Sequence, residues 1–287
     1  MNYPYQLSLH RYKLTFQLPE NMDNPNFFGS KLRGILGSVL KETNPEVLKH
    51  LYERQALPKN HPASVHIGVT HSPSPFIISR IFPKESQPSH ISFVLTLLGD
   101  YHQYFINIYQ AFENLEILAN ESKAIKFIGM EKLNCLETGQ LTHHYQDIVA
   151  FSENMDTTSI TLHFKSPFIL ADKNKTPIAD FSFQTIIKNL HRRLALLSTI
   201  FGQATTAIEE WNSENLNQQV QLSHIQLTPK KISREPSGKN SYSKNAFIGQ
   251  LSYMGELGSY LPLLIIGQYI HIGSDTAFGL GKYKLKY

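Results

Sequence analysis

The order of elements limits the fold of this chain more than any single motif. Residues 5–18 alternate apolar and polar side chains (Leu7, Leu9, then Tyr12, Leu14, Phe16, Leu18), the period of a half-buried strand. Leu32, Ile35, Leu36, Val39 and Leu40 then recur at helical spacing within 27–42. Asn44-Pro45-Glu46 opens a second short helix reaching about residue 54, Asn as cap and Pro in the first turn. Strand-like runs at 64–70, 76–82 and 91–98 lead to a helix over 100–118, and a strand over 126–136 closes this half.

The second half repeats the order. A strand is expected over 159–170, with Pro167 limiting its central part. Ile186, Ile187, Leu190, Leu194, Leu197 and Ile200 mark a long helix over 183–202. Strands at 220–232 and 246–257, a short apolar helix at 259–267 and a last strand finish the chain. Each half reads strand–helix–strand–strand–helix–strand, so the expected class is α+β: two tandem ferredoxin-like domains with antiparallel sheets. The halves are taken as 1–150 and 151–287, joined through the polar stretch 146–158.

Composition excludes several classes. A 41% apolar content describes a globular chain, and no run approaches the roughly 18 apolar residues of a membrane span. The N-terminus lacks a basic and apolar leader, so a cytoplasmic protein is expected. One cysteine, Cys135, excludes an internal disulfide and a thiolate metal cluster, and neither metal nor other cofactor is expected.

Charge and glycine are unevenly placed. Between 228 and 245 lie Lys230, Lys231, Arg234, Lys239 and Lys244 against one acid, Glu235, which equals the +4 excess of the whole chain. The Ser, Gly, Pro and Asn around them suggest an exposed loop joining two strands. Gly273, Gly279 and Gly281 punctuate a second loop that enters the last strand. Without a Cβ they can take positive φ and bring backbone N–H groups against a ligand. The strand puts Lys282, Lys284 and Lys286 on one face and Tyr283, Leu285 and Tyr287 on the other. Such a row suits either a lysine-protected edge strand or contact with a polyanion.

Three segments resemble the CRISPR precursor-RNA processing endoribonucleases of the RAMP superfamily. They are Ile272-Gly273-Ser-Asp-Thr-Ala-Phe-Gly-Leu-Gly-Lys282-Tyr, Leu32-Arg33-Gly34-Ile35-Leu36-Gly37, and Phe247-Ile248-Gly249-Gln250-Leu251 through Gly267. The resemblance implies metal-independent cleavage of CRISPR repeat RNA. The 2′-hydroxyl attacks the adjacent phosphorus, leaving a 2′,3′-cyclic phosphate and a 5′-hydroxyl. The alternative is a non-catalytic RAMP subunit that binds RNA within an effector complex. Implied partners are repeat RNA, other CRISPR effector subunits and a second copy of the chain, with no membrane.

The family's active residues come from the first helical region, where this chain offers His50, Tyr52 and Lys41 as catalytic candidates. Arg33, Lys230, Lys231, Arg234, Lys239, Lys244, Gly273, Gly279, Gly281 and Lys282 are the candidates for RNA contact. Arg33, Gly37 and Lys41 are spaced at four and share a helix face, where Gly37 would let a phosphate backbone approach. Some relatives carry a Tyr on the first helix and a His on the second, where this chain has Gly37 and Tyr52. His50 lies two residues earlier, roughly 200° around a helix. Three other groups have bland readings: His143-His144 beside Asp147 as loop residues, His191-Arg192-Arg193 as a solvated face or an interdomain ion pair, and His61, His66 and His71 as strand-surface histidines.

Overall fold

A computed structural model describes residues 5–18, 29–81, 90–115, 125–134, 144–153, 155–172, 176–202, 219–234 and 242–287. The first half contains β1 (Leu9–Gln17), α1 (Gly29–Thr43), α2 (Pro45–Tyr52), α3 (Pro62–Ile67), β2 (Phe76–Ile81), β3 (His90–Leu98), α4 (Phe105–Glu113) and β4 (Lys126–Leu133). Its antiparallel sheet runs β2-β3-β1-β4. Tyr12, Leu14 and Phe16 alternate onto one face of β1, where they meet Leu32, Leu36, Val39 and Leu40 of α1 and Ile108 and Phe112 of α4. Arg11, Lys13 and Thr15 take the opposite, more open face.

The second half begins after α5 (Tyr145–Ser152). It contains β5 (Ser159–Phe164), the short pair β6 (Leu170–Ala171) and β7 (Pro177–Ile178), α6 (Phe183–Phe201), β8 (Gln221–Arg234), β9 (Tyr242–Met254), α7 (Leu261–Ile270) and β10 (Tyr283–Lys286). The main sheet runs β10-β5-β9-β8, again antiparallel. In both sheets the half's first strand lies between its third and fourth, so the two halves are ferredoxin-like domains in tandem. Apolar faces of α6 and α7 cover one side of the second sheet. Tyr5, Leu7, Ile77 and Leu98 join that same core, so apolar packing is continuous from one half to the other.

Several local expectations change. Residues 64–70 were expected as a strand, yet Pro62–Ile67 is helical. His61 caps it by accepting from the Ala63 N–H at 3.1 Å, and Gly68 ends it in the left-handed region at φ 68°. His61 is therefore a helix cap, whereas the His66 side chain lies outside the described residues. Within the expected polar junction, Tyr145–Ser152 forms α5, which buries Tyr145 and Ile148 in the second core. Pro167 shortens the strand expected to reach residue 170, and β5 ends at Phe164.

The basic segment is the largest change. Lys230 and Lys231 lie on β8 within the strand expected over 220–232, whereas Arg234 and Lys244, expected in the loop between the strands, lie on β8 and β9, with Lys231 opposite Asn245 and Ile232 opposite Lys244. Charge suited this hairpin to water without preventing strand pairing. Most of β8 is exposed on both faces because the ribbon extends beyond the helices that cover the rest of its sheet.

Candidate nucleic-acid interface

α1 and α2 meet at a tight corner, separated only by Asn44, whose side chain accepts from the Val47 N–H at 3.2 Å. Val47 and Leu51 face inward and His50 faces outward. His50 stacks on Tyr104, with ring centroids 5.4 Å apart and planes 19° from parallel. Lys41 in the last turn of α1 and Lys49 on α2 are exposed. The corner thus presents one imidazole and two ammonium groups to solvent.

Tyr52 turns the other way. Its hydroxyl donates to the Arg33 carbonyl at 2.5 Å, and burial pushes its ionisation far above the usual phenol range. Its ring lies 3.1 Å from where a Cβ on Gly37 would stand. The small residue at 37 therefore accommodates the protein's own tyrosine, in place of the expected phosphate backbone. Arg33 is similarly engaged. Its guanidinium lies 4.7 Å from the Tyr52 ring centre, 4.3 Å from that of Phe76 and 5.5 Å from that of Phe278, and donates to Ser74 Oγ at 2.9 Å.

Phe278 belongs to the glycine-rich loop, so Arg33 bridges the two domains. Gly273, Gly279 and Gly281 have the expected positive φ values, 81°, 87° and 72°. Their close neighbours are protein carbonyls. A Cβ at Gly279 would stand 2.6 Å from Ile78 O on β2, and one at Gly281 would stand 1.9 Å from Ile272 O within the loop. A Cβ at Gly273 would meet Ile169 O at 2.1 Å. Asp275 accepts from Lys244 Nζ at 2.6 Å and ties the loop to the basic hairpin.

Lys282 leaves the lysine row expected from its strand. Its Nζ donates to the Arg80 carbonyl at 2.9 Å across the domain junction. Burial, with Arg11 and Lys165 nearby, lowers its amine to about 8. His271 is buried, and burial followed by the charges of Lys282 and Arg193 drives it well below the usual histidine range. The neutral ring places Nδ1 3.0 Å from the Leu280 carbonyl, to which it donates.

Lys230 and Lys231 remain exposed on the hairpin, the Arg234 side chain is not described, and Lys239 lies outside the described residues. The Arg192-Arg193 pair is a correction. Arg192 donates to the Asp172 and Ala171 carbonyls at 2.6 and 3.1 Å, and Arg193 to the Ile270 carbonyl at 2.5 Å. His191 is buried beside Tyr5. These groups tie α6 to neighbouring segments instead of forming a solvated face. Among the described residues, no cluster of three His, Cys, Asp or Glu is placed to hold a metal ion. His144 forms a helix cap in which its N–H donates to Asp147 at 3.3 Å, and His143 lies outside the described residues.

The sequence reading missed His163 on the second sheet, Lys165 just beyond the end of β5, and Arg11, which lies 4.2 Å from the Tyr269 ring centre. Only cross-strand register could have joined His163 to the lysines of β10.

A family model described as CRISPR-associated endoribonuclease Cas6 matches residues 162–283, and a second, described as an N-terminal domain, matches 7–149. The second half of the chain is therefore similar to the Cas6 endoribonuclease family. Among solved structures, it is similar to a Cas6 product complex at 13% identity and TM-score 0.61, covering 97% of this chain and 100% of that one. Thermus thermophilus Cas6 gives 13% identity and TM-score 0.59, with 98% and 99% covered. A partial Cas6-RT-Cas1–Cas2 complex gives 14% identity and TM-score 0.62, covering all of this chain and 47% of that one. At these identities the structural likeness speaks to the shared fold. No curated protein sequence matches the chain. No helix among the described residues is long and apolar enough to cross a membrane.

Proposed function

We propose that this protein is a CRISPR-processing endoribonuclease that cleaves CRISPR repeat RNA without a metal ion, by attack of a 2′-hydroxyl on the adjacent phosphorus. The observation that carries the reading is the match of residues 162–283 to the Cas6 endoribonuclease model. The α1–α2 corner supplies suitable chemistry. His50 is solvent-facing and oriented by its stack on Tyr104, so it can exchange a proton with the 2′-oxygen or the leaving 5′-oxygen. Lys41 offers a cation for the charge that develops on phosphorus. Tyr52 acts on this centre through position: its bond to the Arg33 carbonyl fixes how α2 meets α1. Arg33, held among aromatic rings, shapes the junction, while Lys230 and Lys231 extend the phosphate-binding surface along the hairpin. Repeat RNA is the proposed substrate, and CRISPR effector subunits and a second copy of the chain are the proposed protein partners.

The test is incubation with the cognate repeat RNA in EDTA, followed by analysis of the product ends. A 2′,3′-cyclic phosphate and a 5′-hydroxyl are expected. His50→Ala should slow single-turnover cleavage by about a hundredfold to ten-thousandfold while RNA affinity stays near that of the parent. Binding without cleavage by the parent would replace this reading with that of a non-catalytic RNA-binding subunit. Cleavage by His50→Ala at the parent rate would move the proton-transfer role to another residue.

A further inference from the structure

The second sheet has a covered face and an open one, and the open face concentrates positive charge away from the α1–α2 corner. On β5, Ile160, Leu162 and Phe164 face the core, as do Tyr283 and Leu285 on β10. Alternation places Thr161, His163, Lys284 and Lys286 on the other side. The register then sets Lys284 directly opposite His163 and Lys286 opposite Thr161. Lys165, just beyond β5, brings its Nζ to 3.1 Å from His163 Nδ1. An ammonium group can only donate, so His163 Nδ1 accepts and the imidazole is neutral in this arrangement.

The groups facing His163 are cationic or uncharged: Lys165 and Thr161 from β5 and its end, Lys284 and Lys286 from β10, and Gln250 and Ser252 from β9. The ion pairs Lys13–Glu131 and Lys244–Asp275 lie elsewhere. Burial, then Lys165 and Lys286, holds His163 below its usual range, and burial, then Lys286 and Lys284, lowers Lys165. Three amines drawn together without a facing carboxylate among the described residues are unfavourable until an anion joins them. The side chains around them form a polar floor, with Thr161 and Ser252 hydroxyls 2.8 Å apart and Gln250 donating to Gln226 at 2.9 Å.

The geometry points to a phosphate seat formed by Lys165, Lys284 and Lys286 around His163, which takes up one proton as it binds a phosphodiester. The inference rests on the RNA reading above and adds a site to it. A phosphate oxygen accepts from Lys165 and draws that ammonium away from His163. The freed Nδ1 lone pair takes a proton from solvent, and the imidazolium becomes a further donor to the anion. No bond to phosphorus forms or breaks. The phosphodiester keeps its charge throughout, so the proton taken up belongs to the protein.

The sign follows from linkage. Bound anion raises the histidine's ionisation from its lowered free value, so the complex holds more protons than its separated components. Affinity is highest below the free value and falls as pH rises through the bound one. Between the two, it changes by up to about tenfold per pH unit for one proton.

The test uses fluorescence anisotropy with repeat RNA carrying 2′-methoxy groups, which block attack, from about pH 5.5 to 8 at fixed ionic strength. The parent should bind more tightly as pH falls, and His163→Gln should flatten that dependence. Lys284→Ala with Lys286→Ala should lower the salt slope by about one to two units and reduce the pH dependence as well. Equal pH slopes in the parent and His163→Gln, with RNA still bound, would overturn the seat and leave the RNA reading intact. If the parent binds no RNA at any pH, the RNA reading fails. The seat is then decided by NMR titration of His163 with inorganic sulfate: a raised midpoint supports an anion site serving another phosphate source, and an unchanged midpoint overturns it.

Discussion

Gly279→Ala should destabilise the protein much more than Gly68→Ala, although both glycines have similar positive φ values, 87° and 68°. Alanine in the left-handed region costs about 1–2 kcal/mol at either position. At Gly68 nothing lies within 4 Å of a new Cβ, so the conformational term stands alone. At Gly279 the new atom would sit 2.6 Å from Ile78 O on β2, about 1 Å inside comfortable contact. The neighbour is backbone and cannot rotate away, so the loop and the first sheet must separate. Forced repacking of this kind adds about 1–3 kcal/mol, for a total near 2–5 kcal/mol. Urea unfolding with a common m value should place Gly279→Ala well below Gly68→Ala in midpoint. Asparagine separates the two terms because it tolerates left-handed backbone yet retains a Cβ. Gly68→Asn should restore nearly all of the loss, whereas Gly279→Asn should restore only the conformational part. Matching midpoints for the two alanine variants, or parent stability in Gly279→Asn, would refute the claim that the Ile78 carbonyl sets the residue at 279.

Lys230→Ala with Lys231→Ala should reduce the salt slope of RNA binding by about one to two units, because both ammonium groups are exposed on the hairpin; an unchanged slope would show a solvated ribbon alone. Tyr52→Phe should cost about 1 kcal/mol in urea unfolding by removing the bond to the Arg33 carbonyl, and single-turnover cleavage should slow with it because that bond sets how α2 meets α1. Lys282 has a folded-state value of about 8 against an ordinary 10.5, so the unfolded chain binds more protons between those values and stability should rise with pH across that window. Lys282→Met should lack that rise when urea midpoints at about pH 7.5 and 9.5 are compared.

The fold was legible because its periodicities are local. Alternation in β1 and the helical spacing of α6 both reappear in the structure, and their repeated order gives the topology. The error at Pro62–Ile67 arose where a short apolar run gave little periodicity, while the His61 cap and left-handed Gly68 specified a helix. The basic segment looked like a loop because polarity reports exposure, and an extended hairpin can be as exposed as a loop. The candidate site was less legible. Arg33 and Arg192 show why: charge alone does not reveal whether a guanidinium meets RNA, an aromatic ring or a backbone carbonyl. His163 and Lys284 are far apart in the chain and become neighbours only through antiparallel register.

The contact of Lys282 with the Arg80 carbonyl spans 202 residues of chain. At about 5–20 residues per second, the first half would wait roughly 10–40 s during synthesis for its partner segment. Throughout that interval β2, an edge strand of its sheet, lacks the loop that later packs against Ile78. An uncovered edge strand is a template for pairing with another nascent chain. The glycine loop therefore also bears on yield in the cell: its arrival ends the period in which the first domain is most exposed to aggregation, and slower translation of the second half lengthens that period.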